Sequence, residues 1–223
     1  MKVVALLPMK GYSERVPNKN LRDFAGCPMY HAVVKALQGS KYIIKIIINS
    51  DSEEILQDAR KNFGDFVHCV VRPKELYGDY ISMNRIIEHD INLNENEYFM
   101  QTHATNPLLT SETIDKAIEY YDKHKDDVGS VFSVTKLQTR FYDKNSQPIN
   151  HDLSEMKRTQ DLEPYFEENS NFYIFSKQKF YEARSNRICK NPKMFEMNKL
   201  EAIDIDWPED FLLAELLYKS KNK

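Results

Sequence analysis

Two short stretches, near opposite ends of the chain, carry residue types suited to chemistry on phosphate. The first is LLPMKGYSERVPNKN at residues 6–20, where an apolar run enters a loop containing Lys10, Gly11, Ser13, Arg15 and Lys19. Lysine and arginine stay cationic at neutral pH, glycine permits backbone conformations closed to other residues, and a serine hydroxyl both donates and accepts. Such a loop suits a polyphosphate; a solvated basic loop at a strand end is the competing reading. The second stretch is Asp204, Ile205, Asp206, Trp207 and Pro208. On an extended strand the two aspartates point the same way, about 7 Å apart. Magnesium prefers a few carboxylate oxygens together with substrate phosphates and water, so the two stretches combined predict a metal and triphosphate site. Alone, D-x-D equally describes a solvated strand end or the cap of a helix that Pro208 opens. With no partner base identifiable for Ser13, the expected chemistry is phosphoryl-group transfer without a covalent intermediate, driven by positioning and charge.

The elements that must hold these residues alternate strand and helix. Residues 3–7, VVALL, are a continuous apolar run of the kind buried on both sheet faces, and Pro8 ends it. Further strands are expected at 42–48, 66–71, 97–101, 130–135 and 171–175, with a last short one through Ala202, Ile203 and Ile205. Helices are expected between them, with Pro28 in a first turn and Ser52, Ser82, Ser111 and Ser176 as N-caps, and a final helix from Pro208. This order implies an α/β fold with a mostly parallel, doubly wound sheet. Ligands then sit at the carboxyl ends of the strands, in the loops beginning near Met9, Asn49, Arg72 and Thr102. His103 lies in one of these loops and is a candidate ligand contact. The rhythm breaks after residue 136, where RFYDKNSQPIN at 140–150 reads as a hairpin. Three parts are expected: a nucleotide-binding α/β core at 1–136, an insertion at 137–170, and at 171–223 a return to the core with the metal-binding strand and the terminal helix.

Composition narrows the function classes. The chain has 223 residues, 41% hydrophobic and 29% charged, enough for a substantial core without staples. Disorder is expected only over the last few residues, LYKSKNK at 217–223. A net charge of −3 argues against nucleic acid as a partner, leaving the basic loop for a small anion. Cys27, Cys69 and Cys189 are odd in number and far apart, which fits free thiols in a reducing compartment. No run approaches about 18 apolar residues and the N-terminal run is too short for a signal core, so a cytoplasmic protein with no membrane partner is expected. P-loop, dinucleotide and zinc signatures are absent from the sequence.

At this level of detail the sequence resembles the acylneuraminate cytidylyltransferases, together with the synthetases for CMP-activated legionaminic, pseudaminic and Kdo sugars. Five ordered stretches carry the resemblance: Lys10, Ser13, Pro17, Lys19, Asn20, Leu21 and Arg22; RPKEL at 72–76 with Gly78, Asp79 and Ser82; QTHATNPLL at 101–109; RTQDL at 158–162; and IDIDWPEDF at 203–211. The resemblance implies a three-layer, Rossmann-like nucleotide-diphospho-sugar transferase fold with a small β-rich insertion. It implies that CMP passes from CTP to the anomeric hydroxyl of a 2-keto-3-deoxy sugar acid, releasing pyrophosphate. Lys10, Gly11, Ser13, Arg15 and Asn20 would then bind the nucleotide together with Arg72, Asp79 and Ser82. Gln101, Thr102, His103, Arg158, Gln160, Asp161 and Asn169 would serve the acceptor, and Asp204 and Asp206 would hold Mg2+. Lys10, Lys19 and Asp206 would be catalytic, and the excursion at 137–170 would build a homodimer.

Departures from the pattern bear on the acceptor. Lysine stands at position 10 where the family usually has arginine, which keeps charge but loses bidentate grip. Glu167 and Glu168 stand where sialic-acid enzymes often carry an arginine, which disfavours an anionic sugar or favours one bearing an amino group. Two other readings remain: a D-x-D glycosyltransferase, and a nucleotide-binding protein on the same fold without catalysis.

Overall fold

The computed structural model describes residues 1–155 and 157–221. Strand β1 (Val3–Met9) is buried along nearly its whole length, as its continuous apolar run requires. A two-residue hairpin, β2 (Asp23–Phe24) and β3 (Cys27–Pro28), precedes helix α1 (Tyr30–Gln38), so Pro28 belongs to the hairpin and not to a first helical turn. Then follow β4 (Ile43–Ser50), α2 (Glu53–Phe63), β5 (Val67–Val71), α3 (Met83–Asn92), β6 (Tyr98–Thr102) and α4 (Ser111–His124). Ser52 and Ser82 cap α2 and α3, whereas Thr110, one residue before the expected Ser111, caps α4 by accepting from the Thr113 amide. The chain closes with β7 (Ser130–Leu137), β8 (Tyr165–Ser176), α5 (Lys177–Glu182), β9 (Lys193–Glu196) and α6 (Pro208–Lys221). The terminal helix thus covers much of the stretch expected to be disordered; residues 222 and 223 lie outside the described residues.

Seven strands form one sheet in the order β5-β4-β1-β6-β8-β7-β9. The pairs β1/β4, β1/β6, β4/β5 and β7/β9 are parallel, while β8 runs antiparallel to both β6 and β7. Side chains of β1 alternate between two cores, as strand geometry demands. Val3, Ala5 and Leu7 face α1, α2 and α4, packing with Val33, Leu37, Leu56 and Ile118. Val4 and Leu6 face α3 and α5, packing with Ile87, Ile91 and Phe180. This is the mostly parallel, three-layer α/β arrangement expected.

A third cluster sits at the carboxyl end of the sheet and decides where the chemistry goes. Val16 from the opening loop packs with Phe24, Met29, Leu108 and Ile205 and with Phe211 and Ala214 of α6. One expectation fails here, because residues 202–206 form no strand. Ile205 is instead fully buried, and the stretch is tied to the loop after β6 by the Ile205 amide, which donates to the Thr105 carbonyl at 2.9 Å, and by Asn106 Nδ2, which donates to the Ile203 carbonyl at 3.4 Å. Burial of Ile205 and a few scattered hydrogen bonds fix the stretch without a ladder.

Beyond β7 the chain makes its excursion. Tyr142 bridges Pro148 in a hairpin whose turn is held by Asp143 Oδ1, which accepts from the amides of Asn145 and Gln147 at 2.8 Å each. The return begins at Tyr165, opposite Leu137, and β8 carries it without a break into the central sheet. Strand β9 at the sheet edge was not anticipated; its four-residue sequence KMFE holds only two apolar residues, too short a run to signal a strand. All three cysteines are free, and no helix among the described residues is long and apolar enough to cross a membrane.

Candidate active site

The loops after β1, β5 and β6 border a cleft of about 550 Å³ at the carboxyl edge of the sheet, lined among others by Lys10, Ser13, Arg15, Lys19, Asn20, Asp79 and His103. The opening loop is shaped by contacts at both of its ends. At its start, the Gly11 amide donates to Asp51 Oδ1 at 2.7 Å, and a Cβ on Gly11 would meet the Ser52 Cβ at 2.7 Å. Glycine is needed there for close approach to the start of α2. At its far end Asn18 takes a left-handed conformation, φ 52°, and its carbonyl accepts from the amides of Leu21 and Arg22. Asn20 Nδ2 donates back to the Lys10 carbonyl at 2.9 Å, closing the loop on itself.

With Val16 anchored beside Ile205, the cations of the loop meet the two aspartates. Arg15 Nη2 is 3.0 Å from Asp206 Oδ1, and Lys19 Nζ is 3.9 Å from the same oxygen while donating to the Ile205 carbonyl. Arg15 also lies over the Trp207 ring, 5.1 Å from its centroid. Burial pulls the Lys19 ammonium below the usual lysine range, an effect that Asp204 and Asp206 oppose. Burial and the neighbouring Asp206 push the Asp204 carboxyl upward, against a hydrogen bond from Thr105 and the charge of Lys19.

Two features test whether this spot suits a divalent cation. Asp204 Oδ1 is buried with no hydrogen-bond partner, so an oxygen lone pair awaits a ligand. Asp210, the next acid along, is already committed: its Oδ2 accepts from the amides of Asp206 and Trp207 at 3.1 and 2.8 Å, fixing the entry to α6 in the manner of a capping box. No cluster of three or more His, Cys, Asp or Glu side chains arranged for a metal occurs among the described residues. Two carboxylates nevertheless meet the protein's share of a magnesium site, since that ion draws its remaining oxygens from phosphate and water.

Across the cleft, Lys10 Nζ pairs with Asp79 Oδ1 at 2.7 Å, which holds the Asp79 carboxyl below the usual range. Tyr12 and Tyr80 line the mouth with strongly exposed rings. Sequence reasoning missed both, since isolated tyrosines carry no spacing signal. Ser82 is exposed and its hydroxyl accepts from the Asn84 amide, capping α3 at the edge of the cleft. Arg72 lies beneath the cleft and is almost wholly buried. Its Nε donates to Asn49 Oδ1 at 2.8 Å, and Nη2 donates to the carbonyls of Met9 and Asn49 at 2.9 Å each. The guanidinium ties the ends of β1 and β4 together, and Asn49 Nδ2 extends the network to the buried Asp90 carboxylate.

The residues expected to serve the acceptor separate into two groups. Gln101, Thr102 and His103 end β6 at the cleft. Gln101 Oε1 accepts from Arg187 Nη1 at 2.6 Å, and Thr102 Oγ1 donates to the Asn171 carbonyl at 2.7 Å. His103 borders the cleft with its pKa pushed down to about 4 by burial and by the charges of Arg187 and Lys19. Arg158, Gln160 and Asp161 lie elsewhere, exposed on the excursion, where Arg158 and Asp161 form a bidentate pair at 2.7 and 3.0 Å. Gln160 presents its carbonyl to Gln138 Nε2. Asn169 is buried in β8, donating to Thr135 Oγ1 at 3.0 Å and accepting from the Asn171 amide. That pair lies beside the register shift between Phe132 and Val134.

A family model described as "Cytidylyltransferase" matches residues 4–222, nearly the whole chain. The chain belongs to the cytidylyltransferase family. Two relatives align end to end. A pseudaminic acid cytidylyltransferase from Campylobacter jejuni is 28% identical over 98% of this chain and 97% of its own, and a CMP-N,N'-diacetyllegionaminic acid synthase from Legionella pneumophila is 29% identical over 97% and 96%. Among solved structures, a CMP:2-keto-3-deoxy-manno-octonic acid synthetase complexed with CTP superposes with a TM-score of 0.72 at 13% identity, covering 99% of this chain and all of the other, which shows the shared fold. This cytidylyltransferase is therefore a nucleotidyltransferase enzyme, and its Lys10, Arg15 and Lys19 loop lies where the α/β fold places ligands.

Proposed function

We propose that the chain transfers CMP from CTP to the anomeric hydroxyl of a 2-keto-3-deoxy sugar acid of the sialic, legionaminic or pseudaminic kind, releasing pyrophosphate. The observation that carries this reading is the meeting of the two stretches in one cleft, Arg15 against Asp206 at 3.0 Å, in a chain of the cytidylyltransferase family. Lys10, Arg15 and Lys19 would neutralise the triphosphate, and Ser13 and Asn20 would position it. The acceptor oxygen would form its bond to the α-phosphorus as the α–β phosphoanhydride breaks, so that pyrophosphate leaves with the bonding electrons and the hydroxyl proton is lost. Asp204 and Asp206 would hold Mg2+, which when bound supplies Lewis-acid neutralisation of phosphate charge. Gln101 and His103, beside the opening loop, would meet the sugar.

The same reading makes the protein a cytoplasmic homodimer. Its support is the three free thiols together with an excursion that exposes Tyr142, Ile149, Leu153, Tyr165 and Phe166. A second subunit covering these side chains would bring Arg158 and Asp161 into play at a neighbouring cleft. The test is pyrophosphate release on mixing protein, CTP and magnesium with sialic, legionaminic, pseudaminic and Kdo-type acids. Release with at least one acid and CTP, and not with UTP or ATP, is the expected result. Silence across the panel would reject the acceptor class.

A further inference from the structure

One cation beside the cleft, packed against His103 of its lining, is left without a counter-charge. Lys10 pairs with Asp79, and Arg15 and Lys19 face Asp206. Arg187, from the turn-rich stretch before β9, has no carboxylate within ion-pair distance among the described residues. Its neighbours are neutral: Nη1 donates to Gln101 Oε1 at 2.6 Å and reaches His103 Nε2 at 3.5 Å, and Nη2 donates to the Tyr173 hydroxyl at 3.1 Å. The guanidinium carbon lies over the Tyr173 ring, 3.8 Å from its centroid. An arginine carries five N–H groups, so these contacts leave donors free. The side chain is half-buried, and its backbone amide is pinned by Asn84 Oδ1 at 3.2 Å.

This setting is costly for the protein alone. Burial draws the guanidinium below the ordinary arginine range, opposed by Tyr173 and by Glu168, the carboxylate that accepts from the Tyr173 hydroxyl. A partly desolvated cation held rigidly by a ring, an amide and an imidazole, next to a cleft and with unused donors, is an anion site in waiting. Among the anions a cytidylyltransferase handles, the triphosphate has the opening loop. The second is the acceptor.

We propose that Arg187 anchors the carboxylate of the acceptor, with Gln101 and Tyr173 fixing the plane of the guanidinium so that it meets the two carboxylate oxygens side by side. This rests on the sugar-acid reading above. His103, held neutral, separates this anchor from Lys19 and the phosphate cations without adding a competing charge. The arrangement makes Arg187 the residue by which the enzyme selects an acid over a neutral sugar.

The experiment uses the purified full chain, wild type and with Arg187→Gln and Arg187→Lys, and follows pyrophosphate release with the best acid of the panel and with its C1 carboxamide. CTP binding is measured separately by calorimetry. The acceptor KM is expected to rise roughly tenfold or more in Arg187→Gln, with the CTP dissociation constant unchanged. Arg187→Lys should fall between, since a point charge keeps attraction without the bidentate geometry. The preference for acid over carboxamide should shrink toward unity in Arg187→Gln, and this ratio is independent of how much protein folds. An unchanged acid-to-carboxamide ratio in an otherwise active variant would overturn the anchor while leaving the sugar-acid reading intact. A wild type that binds CTP yet turns over no acid would overturn both.

Discussion

Arg15 Nη2 stands 3.0 Å from Asp206 Oδ1, so a side chain suited to phosphate is clasped onto a carboxylate suited to magnesium. Both partners are nearly half exposed, and an exposed pair of this kind contributes less than about 1 kcal/mol. So weak a clasp is easily exchanged if, as proposed, phosphate binds the arginine and a cation binds the carboxylate.

The first prediction follows from that exchange. Asp206→Asn should lower turnover on the order of 100-fold while shifting the melting temperature by no more than a few degrees. Steady-state pyrophosphate release and a thermal melt measure the two effects. Turnover at the wild-type level with saturating magnesium would remove Asp206 from the proposed metal site.

A second prediction concerns Lys10, whose ammonium bonds Asp79 at 2.7 Å across the cleft. Lys10→Met should weaken CTP binding roughly tenfold, because one charge-assisted contact to phosphate is lost. Lys10→Arg should hold CTP at least as tightly as the wild type, since a planar fork can grip two phosphate oxygens. Calorimetric titration with CTP, at two salt concentrations, separates these outcomes. A Lys10→Met protein with wild-type affinity would place the triphosphate elsewhere.

Arg72 supports a third prediction, about stability. Its guanidinium bridges the ends of β1 and β4 through Met9 and Asn49, and its removal would strand two carbonyls and weaken the Asn49 link to the buried Asp90. Arg72→Met should cost roughly 3 kcal/mol or more of unfolding free energy in urea. A loss below about 1 kcal/mol, accompanied by weaker CTP binding, would instead make Arg72 a direct nucleotide contact.

Much of the frame was legible because it rests on local physics. The run VVALL could bury both faces only in a central parallel strand, and the alternation of strands and helices placed the loops at the carboxyl edge. The opening loop was readable for the same reason, through residue types crowded into few positions. What the sequence concealed depends on packing between distant segments. Ile203 and Ile205 look like a strand because their alternation is right, yet the burial of Ile205 and separate bonds to Thr105, Asn106 and Lys19 hold them without a partner strand. Arg187 sits in a stretch, RSNRICKN, with no periodicity; only β6 and β8 arriving from elsewhere place Gln101 and Tyr173 around it. Arg158 and Asp161 matched a family stretch in sequence, but within one chain they pair with each other on the excursion.

The last prediction turns on His103. Burial, with Arg187 and Lys19 nearby, pushes its pKa down to about 4, whereas an unfolded histidine titrates near 6.5. The folded state thus binds the proton less readily than the unfolded one. The stability attached to this residue is complete above about pH 6.5 and is lost progressively as pH falls toward 4. Between pH 7.5 and 5 the wild type should lose about 2 kcal/mol of unfolding free energy from this group, a loss that His103→Gln would not share. Urea unfolding of both proteins at the two pH values gives the difference directly. The ring should also show no NMR inflection between about pH 5.5 and 8, and the pH–rate profile should carry none assignable to it. An inflection near 6.5 would mean that the imidazole charges at working pH and could itself hold the acceptor's carboxylate. Its absence leaves Arg187 as the cation next to His103 that could do so.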